Sequence, residues 1–284
     1  MRSAALILTA TAFAASACAP ADQPQQPAPN QVDGAACTKA ELKTLQPGKL
    51  TFGTDQPVYE PWFVDDDPSN GKGFESAVAY AVAGELGYAK EDVTWTRVPF
   101  NAAIQPGRKS YDLDLNEFSI TEERKQAVDF SAPYYDVGQA VVTLASSKAA
   151  TATTLADLRK VKVGAQVGTT SYNAAQRLQP EQPVAVYNTN DDAKAALRAG
   201  QVDALVVDLP TAFFITSAEL EGGKIVGQIP PGDGKPEQFG IVLDKGSPLT
   251  GCVSLAVTRL KENGKLAELE REWLAGAGTA PELK

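Results

Sequence analysis

From residue 50 onward, short apolar runs alternate with longer stretches in which apolar residues recur every three or four positions. The run Leu50-Thr-Phe-Gly-Thr54 reads as a strand. Behind Gly73, apolar residues at Phe74, Ala77, Val78, Ala81, Val82 and Leu86 share one face of a helix that Gly87 ends. A strand at 93–98, a short helix at 100–104 broken by Pro106-Gly107, and a strand at 140–144 continue the first series. Within it, Leu113 and Leu115 alternate with polar neighbours and run into the turn Ser119-Ile-Thr-Glu-Glu-Arg124. Thr121 suits a helix N-cap there, and Glu122 and Glu123 suit the positive end of the dipole. Arg124 does not, which makes a partner anion the natural suspicion, whether a neighbouring surface acid or a bound carboxylate.

A second series follows the small, polar segment 145–153. It predicts strands at 161–165, 184–187 and 204–207, with helices from Ser171, at 191–199 and after Pro210. Residues 225–226 are a further strand candidate, Phe239-Gly-Ile-Val-Leu243 is strand-like, and helices begin near Leu249 and Lys265. Strands separated by helices imply parallel sheets covered on both faces. A helix–glycine–strand–polar plan recurs weakly from Gly107 and from Gly200, which predicts two α/β lobes. The chain is expected to cross between them near 144–150 and again near 238, making a hinge.

Ligands in such folds sit beyond the strands' C-terminal ends, often between domains. Asp55, the Ser119–Arg124 turn, Gly168-Thr-Thr-Ser171 and Asp208 all fall at such ends. Each has an ordinary role open to it: turn-making for Asp55, and helix capping for Thr169 or Thr170 and for Asp208. Together, one arginine, two helix-start turns and two carboxylates can hold both charges of an amino-acid zwitterion. Burying either charge unpaired costs several kcal/mol.

Composition narrows the options. The chain has 284 residues, 43% apolar and 21% charged, enough for one or two well-packed domains. Its net charge of −9 is spread along the chain, against nucleic acid and against anionic lipid as electrostatic partners. There is no histidine, so the commonest general base and metal ligand is missing, and no metal or cofactor is expected.

Met1-Arg2, an apolar run at 4–15 and Ala15-Ser-Ala-Cys18 read as an export signal over residues 1–17, too short to span a membrane. Cys18 after small residues resembles a bacterial lipobox, with Ala15 in place of the usual leucine. That makes Cys18 the expected lipid-bearing mature N-terminus, at a mature charge of −9 − 1 = −10. Residues 18–36, rich in Pro and Gln, read as a tether. Cys37 and Cys252 form an even pair outside the cytoplasm and are expected to bridge.

Gly53-Thr-Asp55, Gly73-Phe-Glu75, Ser119-Ile-Thr-Glu-Glu-Arg124, Asp129-Phe-Ser, Gly168-Thr-Thr170 and Val202-Asp-Ala…Asp208 occur in order. As a set, over roughly residues 50–274, they resemble the bacterial extracellular amino-acid-binding proteins of ABC importers, solute-binding family 3. The resemblance implies an α/β, two-lobed periplasmic-binding-protein-like fold of type II, each lobe a mostly parallel sheet flanked by helices. Residues 37–144 and 239–284 would form one lobe and 145–238 the other. It further implies a monomer, without catalysis, that closes around a free amino acid and docks on a membrane permease.

Carried over by motif, Arg124 grips the ligand carboxylate, helped by the amides of Ser119 and Thr170 and the hydroxyl of Thr169. Asp208 takes the ammonium, with Ser119 as a possible second contact. Asp55 faces the ligand side chain, flanked by Tyr59 or Trp62 and by Phe100, whose alternative is core packing. Asn116-Glu117-Phe118 stands where the family has small residues. Glu117 therefore either points to solvent or narrows and acidifies the pocket. Asp55 and Glu117 favour a polar or cationic ligand. The competing readings are a small-acid dehydratase on the same scaffold, with Glu117 or Asp55 as its acid, and a surface sensor module.

Overall fold

The computed structural model describes residues 37–274 and 278–284. β1 (Leu50–Thr54) leads to α1 (Phe74–Glu85), β2 (Val93–Arg97), α2 (Phe100–Ala103) and β3 (Leu113–Asp114), and β4 (Val128–Phe130) follows. β5 (Tyr135–Val137) precedes β6 (Gln139–Leu144), α3 (Leu155–Leu158), β7 (Val163–Gln166), α4 (Thr170–Arg177) and β8 (Ala185–Tyr187). Next come α5 (Asn190–Arg198), β9 (Ala204–Asp208), α6 (Leu209–Phe214) and β10 (Gly223–Ile229). β11 (Glu237–Phe239) returns the chain to β12 (Val242–Asp244), α7 (Thr250–Glu262) and α8 (Lys265–Trp273).

These strands make two five-stranded sheets, ordered β2-β1-β3-β12-β4 and β10-β6-β9-β7-β8. In each, one strand runs against the rest: β12 is antiparallel to β3 and β4, and β6 to β9 and β10. Those two reversed strands are the ones that follow each crossing between lobes. The crossings themselves, β5 and β11, pair antiparallel as a separate ribbon with Tyr135 opposite Phe239 and Val137 opposite Glu237.

The first crossing therefore lies one strand earlier than the expected 144/145 boundary. Ala140, Val141 and Val142 are wholly buried, and a run apolar on both faces belongs inside a sheet; here β9 and β10 flank it. Residues 278–284 correct the other boundary. Leu283 is buried in the second lobe's core, and Glu282 bridges to Gln228 beside β10. The strand-like stretch at 239–243 divides between ribbon and first sheet.

The first lobe's core gathers Leu50 and Phe52 of β1, the apolar face of α1, and Val253, Val257 and Leu260 of α7. Cys37 and Cys252 are disulfide-bonded within it, tying the start of the described chain to α7. The second sheet is covered on both faces by separate apolar clusters. Among the described residues, no helix is long and apolar enough to cross a membrane. Residues 1–36, including Cys18, lie outside the described residues.

Candidate ligand-binding cleft

Between the lobes lies about 570 Å³ of empty space, counted to its open mouth, at the C-terminal ends of β1, β7 and β9. On the first-lobe side, the Ser119–Arg124 turn does not start a full helix. One 3-10 turn, Arg124–Gln126, is cut short by β4. The N-cap position of that short turn falls on Glu123, not on Thr121, whose hydroxyl still accepts the Arg124 N–H at 3.1 Å. Arg124 is buried, 8% exposed. Its Nη1 donates to the Ser119 carbonyl at 2.7 Å, and its Nη2 reaches across the cleft to the Gly168 carbonyl at 3.0 Å. The Phe100 ring lies 5.5 Å from Cζ and is itself stacked on Phe118 at 4.9 Å. A guanidinium has five donors, so those remaining can fork onto a carboxylate.

The facing wall is the turn into α4. Gly168 has φ 75°, and a side chain there would collide with Asn101 of α2. Thr169 caps the helix: its hydroxyl accepts the Tyr172 N–H at 3.1 Å and donates to the Gln166 carbonyl at 2.8 Å. That hydroxyl is committed to its own turn. Thr170 Oγ1 meets Ser119 Oγ across the lobes at 3.1 Å. The first amides of α4 have no partner inside the helix and attract anions.

Asp208 sits at the N-cap position of α6 yet makes no capping bond. Instead its Oδ1 accepts Gln139 Nε2–H at 2.7 Å. Burial, then the charge of Glu237, pushes its carboxyl up to about 8, against the pull of Gln139 and Arg124. Ser171 donates to Gln139 Oε1 at 2.7 Å.

Glu117 lines the cleft with its backbone in the left-handed region, φ 56°. Its N–H donates to Glu75 Oε1 at 2.7 Å, and Tyr134 donates its hydroxyl proton to the same oxygen. Desolvation first, then the charges of Glu75 and Asp208, hold the Glu117 carboxyl well above the usual range. Glu75, wholly buried, is pushed up to about 7 by burial, and its Oε2 has no partner among the described residues. Behind it, burial and the Glu75 charge raise Asp114 as well, and neither of its carboxyl oxygens is paired among the described residues. A row of buried acids thus backs the pocket.

The remaining sequence-predicted residues divide. Asp55 lines the cleft while accepting the amides of Gln56 at 2.7 Å and Phe100 at 3.1 Å, so it both makes its turn and caps α2. Tyr59 and Phe100 line the cleft, and the Lys194 ammonium lies over the Tyr59 ring at 5.2 Å. Ser119 is 1% exposed and bonds across the cleft's edge rather than opening onto it. Trp62 is displaced from its expected place: it is fully buried among Phe74, Tyr135 and Phe239, because an indole fills that core. It reaches the site only through Nε1–H, which donates to Thr211 Oγ1 at 2.8 Å. Thr211 in turn lies 3.4 Å from Glu117 Oε2. Thr211, Gln166 and Asn190, which also line the cleft, carry no motif, and only their places near strand or helix ends point to the site.

The family model of bacterial extracellular solute-binding proteins, family 3, matches residues 50–276. The chain is 29% identical to the arginine-binding extracellular protein of Bacillus subtilis, over 80% of this chain and 87% of that one. It is 30% identical to the glutamine-binding protein of an ABC transporter from the same organism, over 80% and 81%. Among solved structures, an ancestral amino acid-binding protein, a precursor of cyclohexadienyl dehydratase, superposes with a TM-score of 0.67 at 30% identity, covering 80% of this chain and 95% of that one. With its two lobes, type II architecture and interlobe cleft, the chain belongs to the bacterial extracellular solute-binding proteins, family 3.

Proposed function

We propose that this protein captures a polar or cationic L-amino acid between its lobes and delivers it to an ABC permease. The observation that carries the reading is the imbalance of charge in the cleft: one guanidinium, Arg124, against the carboxyls of Asp55, Glu117 and Asp208. A zwitterion consumes one of each sign, Arg124 for its carboxylate and Asp208 for its ammonium. Glu117 and Asp55, half-buried in the cleft lining, are left to face a donor-rich side chain, and a desolvated carboxyl favours a hydrogen-bond donor over an apolar group. The arginine- and glutamine-binding relatives support that class. In the same reading the molecule is exported and works as a monomer anchored by a lipid on Cys18, which the signal-like residues 1–17 and the lipobox-like 15–18 support. Calorimetric titration with the twenty amino acids tests the reading. Micromolar or tighter binding of basic or amide ligands is expected; binding of none of them sinks it.

A second reading has one observation behind it. A carboxyl pushed up to about 8, Asp208, beside Glu117, which burial also raises, is what a general acid for dehydration requires. Turnover of a prephenate-like acid, followed in the ultraviolet, would move the assignment to an enzyme.

A further inference from the structure

The hydrogen bonds of the ribbon between the lobes converge on two residues that no motif marks. Gln139 opens β6, directly after the first crossing, and stands opposite Asp208 in the sheet. It is 3% exposed. Its amide spends one hydrogen on Asp208 Oδ1 at 2.7 Å and the other on Glu237 Oε2 at 3.2 Å, while its oxygen accepts Ser171 Oγ–H at 2.7 Å. Glu237 opens the return strand β11, and the same Oε2 accepts Ser119 Oγ–H at 3.0 Å. One side-chain amide thus separates two carboxyls, and one ribbon carboxyl collects donors from both lobes.

We propose that Gln139 and Glu237 are positioning residues that tie the ammonium-facing carboxyl of Asp208 to the interlobe ribbon, so that residues outside the cleft set ligand affinity and its pH dependence. The inference rests on the reading of the cleft as an amino-acid site. Only an amide fits position 139, since a carboxylate there would add a third acid and an aliphatic side chain would strand both. The two residues act on Asp208 in opposite senses: Glu237 holds the proton on by its charge, and Gln139 favours its loss by donating to the carboxylate. The other charged groups that bear on Asp208 are Arg124, which opposes Glu237, and the acids Glu75 and Glu117, which act with it.

The test uses Glu237→Gln and Gln139→Leu in the full chain, with L-arginine and L-glutamine as calorimetric probes from pH 6 to 9. In the ligand-free protein, the Asp208 carboxyl is titrated by carbon NMR. Glu237→Gln is expected to move the midpoint of Asp208, and with it the affinity profile, to lower pH by about half a unit or more. Gln139→Leu is expected to move it higher and weaken binding about tenfold or more at pH 7, the loss of a charge-assisted hydrogen bond. A purely structural role would weaken binding in both variants with no opposed shift, and that result overturns the proposal. If the wild-type protein binds neither probe, the amino-acid reading fails; the Asp208 titration then decides the coupling alone. An unmoved midpoint in Glu237→Gln overturns it even if Gln139→Leu does not fold.

Discussion

The two walls of the cleft are built on different principles. The first lobe presents Arg124 held by two carbonyls and Glu117 in a left-handed conformation, and behind them, among the described residues, Glu75 has one unpaired oxygen and Asp114 two. The second lobe presents a finished turn, in which the Thr169 hydroxyl is used twice by its own helix and Ser171 is bonded to Gln139. Only Asp208 among its cleft residues is held far from its ordinary protonation. Burial of unpaired polar groups is costly and is relieved by a ligand of the right pattern, whereas a satisfied turn gains little. Selectivity should therefore reside in the first wall, and closure in the second.

The largest effect expected from that contrast is at Arg124. Arg124→Ala should weaken amino-acid binding about 100-fold or more, because removing one partner of a desolvated charge pair costs roughly 2–5 kcal/mol. Thr170→Val on the facing wall, which removes only the hydroxyl contact with Ser119, should cost less than about tenfold. Equal losses in the two variants, measured by calorimetry, would erase the distinction between the walls.

Stability is divided in the same way. The first lobe is pinned by the Cys37–Cys252 bridge, which spans a sequence separation of 215, and the second by the tail that buries Leu283. Replacing both cysteines with serine should lower stability by about 2–5 kcal/mol. Leu283→Ala should cost about 2–3 kcal/mol and act on the second lobe. Denaturant unfolding monitored by tryptophan, all three of which lie in the first lobe, should respond more to the first change than to the second.

The acids give the contrast a pH signature. Asp208 at about 8 and Glu75 at about 7 retain protons in the folded ligand-free state that the unfolded chain has released. The folded state then binds more protons than the unfolded one between about pH 4 and 8, so stability is greatest at the acid end and falls as pH rises through that window. A fall in stability between pH 5 and 8, at most about 6 kcal/mol from these two groups, is expected in thermal scans of ligand-free protein. Affinity for a cationic group should run the other way. The ligand needs the carboxylate form, so binding releases protons and strengthens with pH up to about 8. A flat affinity profile would mean that Asp208 does not face the ligand ammonium.

The parts legible in the sequence are those whose cause is local. The apolar period of α1, the glycine-marked turns and the capping threonines are short-range features, and they place strand ends and therefore the cleft. The crossing is not legible because residues 140–144 carry the same apolar pattern in either sheet, and only pairing with β9 and β10 decides between them. The place of Trp62 is hidden for a related reason: a tryptophan beside a binding loop packs against a ligand or against Phe74, Tyr135 and Phe239 with equal chemical sense. Gln139 and Glu237 had no signal at all, since their roles depend on partners 69 and 98 residues away from position 139.

Thr169 offers the smallest and most discriminating test. The family pattern gives its hydroxyl to the ligand carboxylate, while the structure gives both of its hydrogen bonds to the turn before α4. If the hydroxyl serves the helix, Thr169→Ala removes an N-cap worth about 1 kcal/mol and lowers the melting temperature by a few degrees. Affinity then changes less than about threefold, because the unpaired amides of the first turn, rather than the hydroxyl, face the anion. Thr169→Ser keeps the cap and should restore the melting temperature without altering affinity. Should alanine instead cost tenfold in affinity with no change in melting, the hydroxyl must leave its turn when the ligand arrives. The second wall would then be as incomplete before binding as the first.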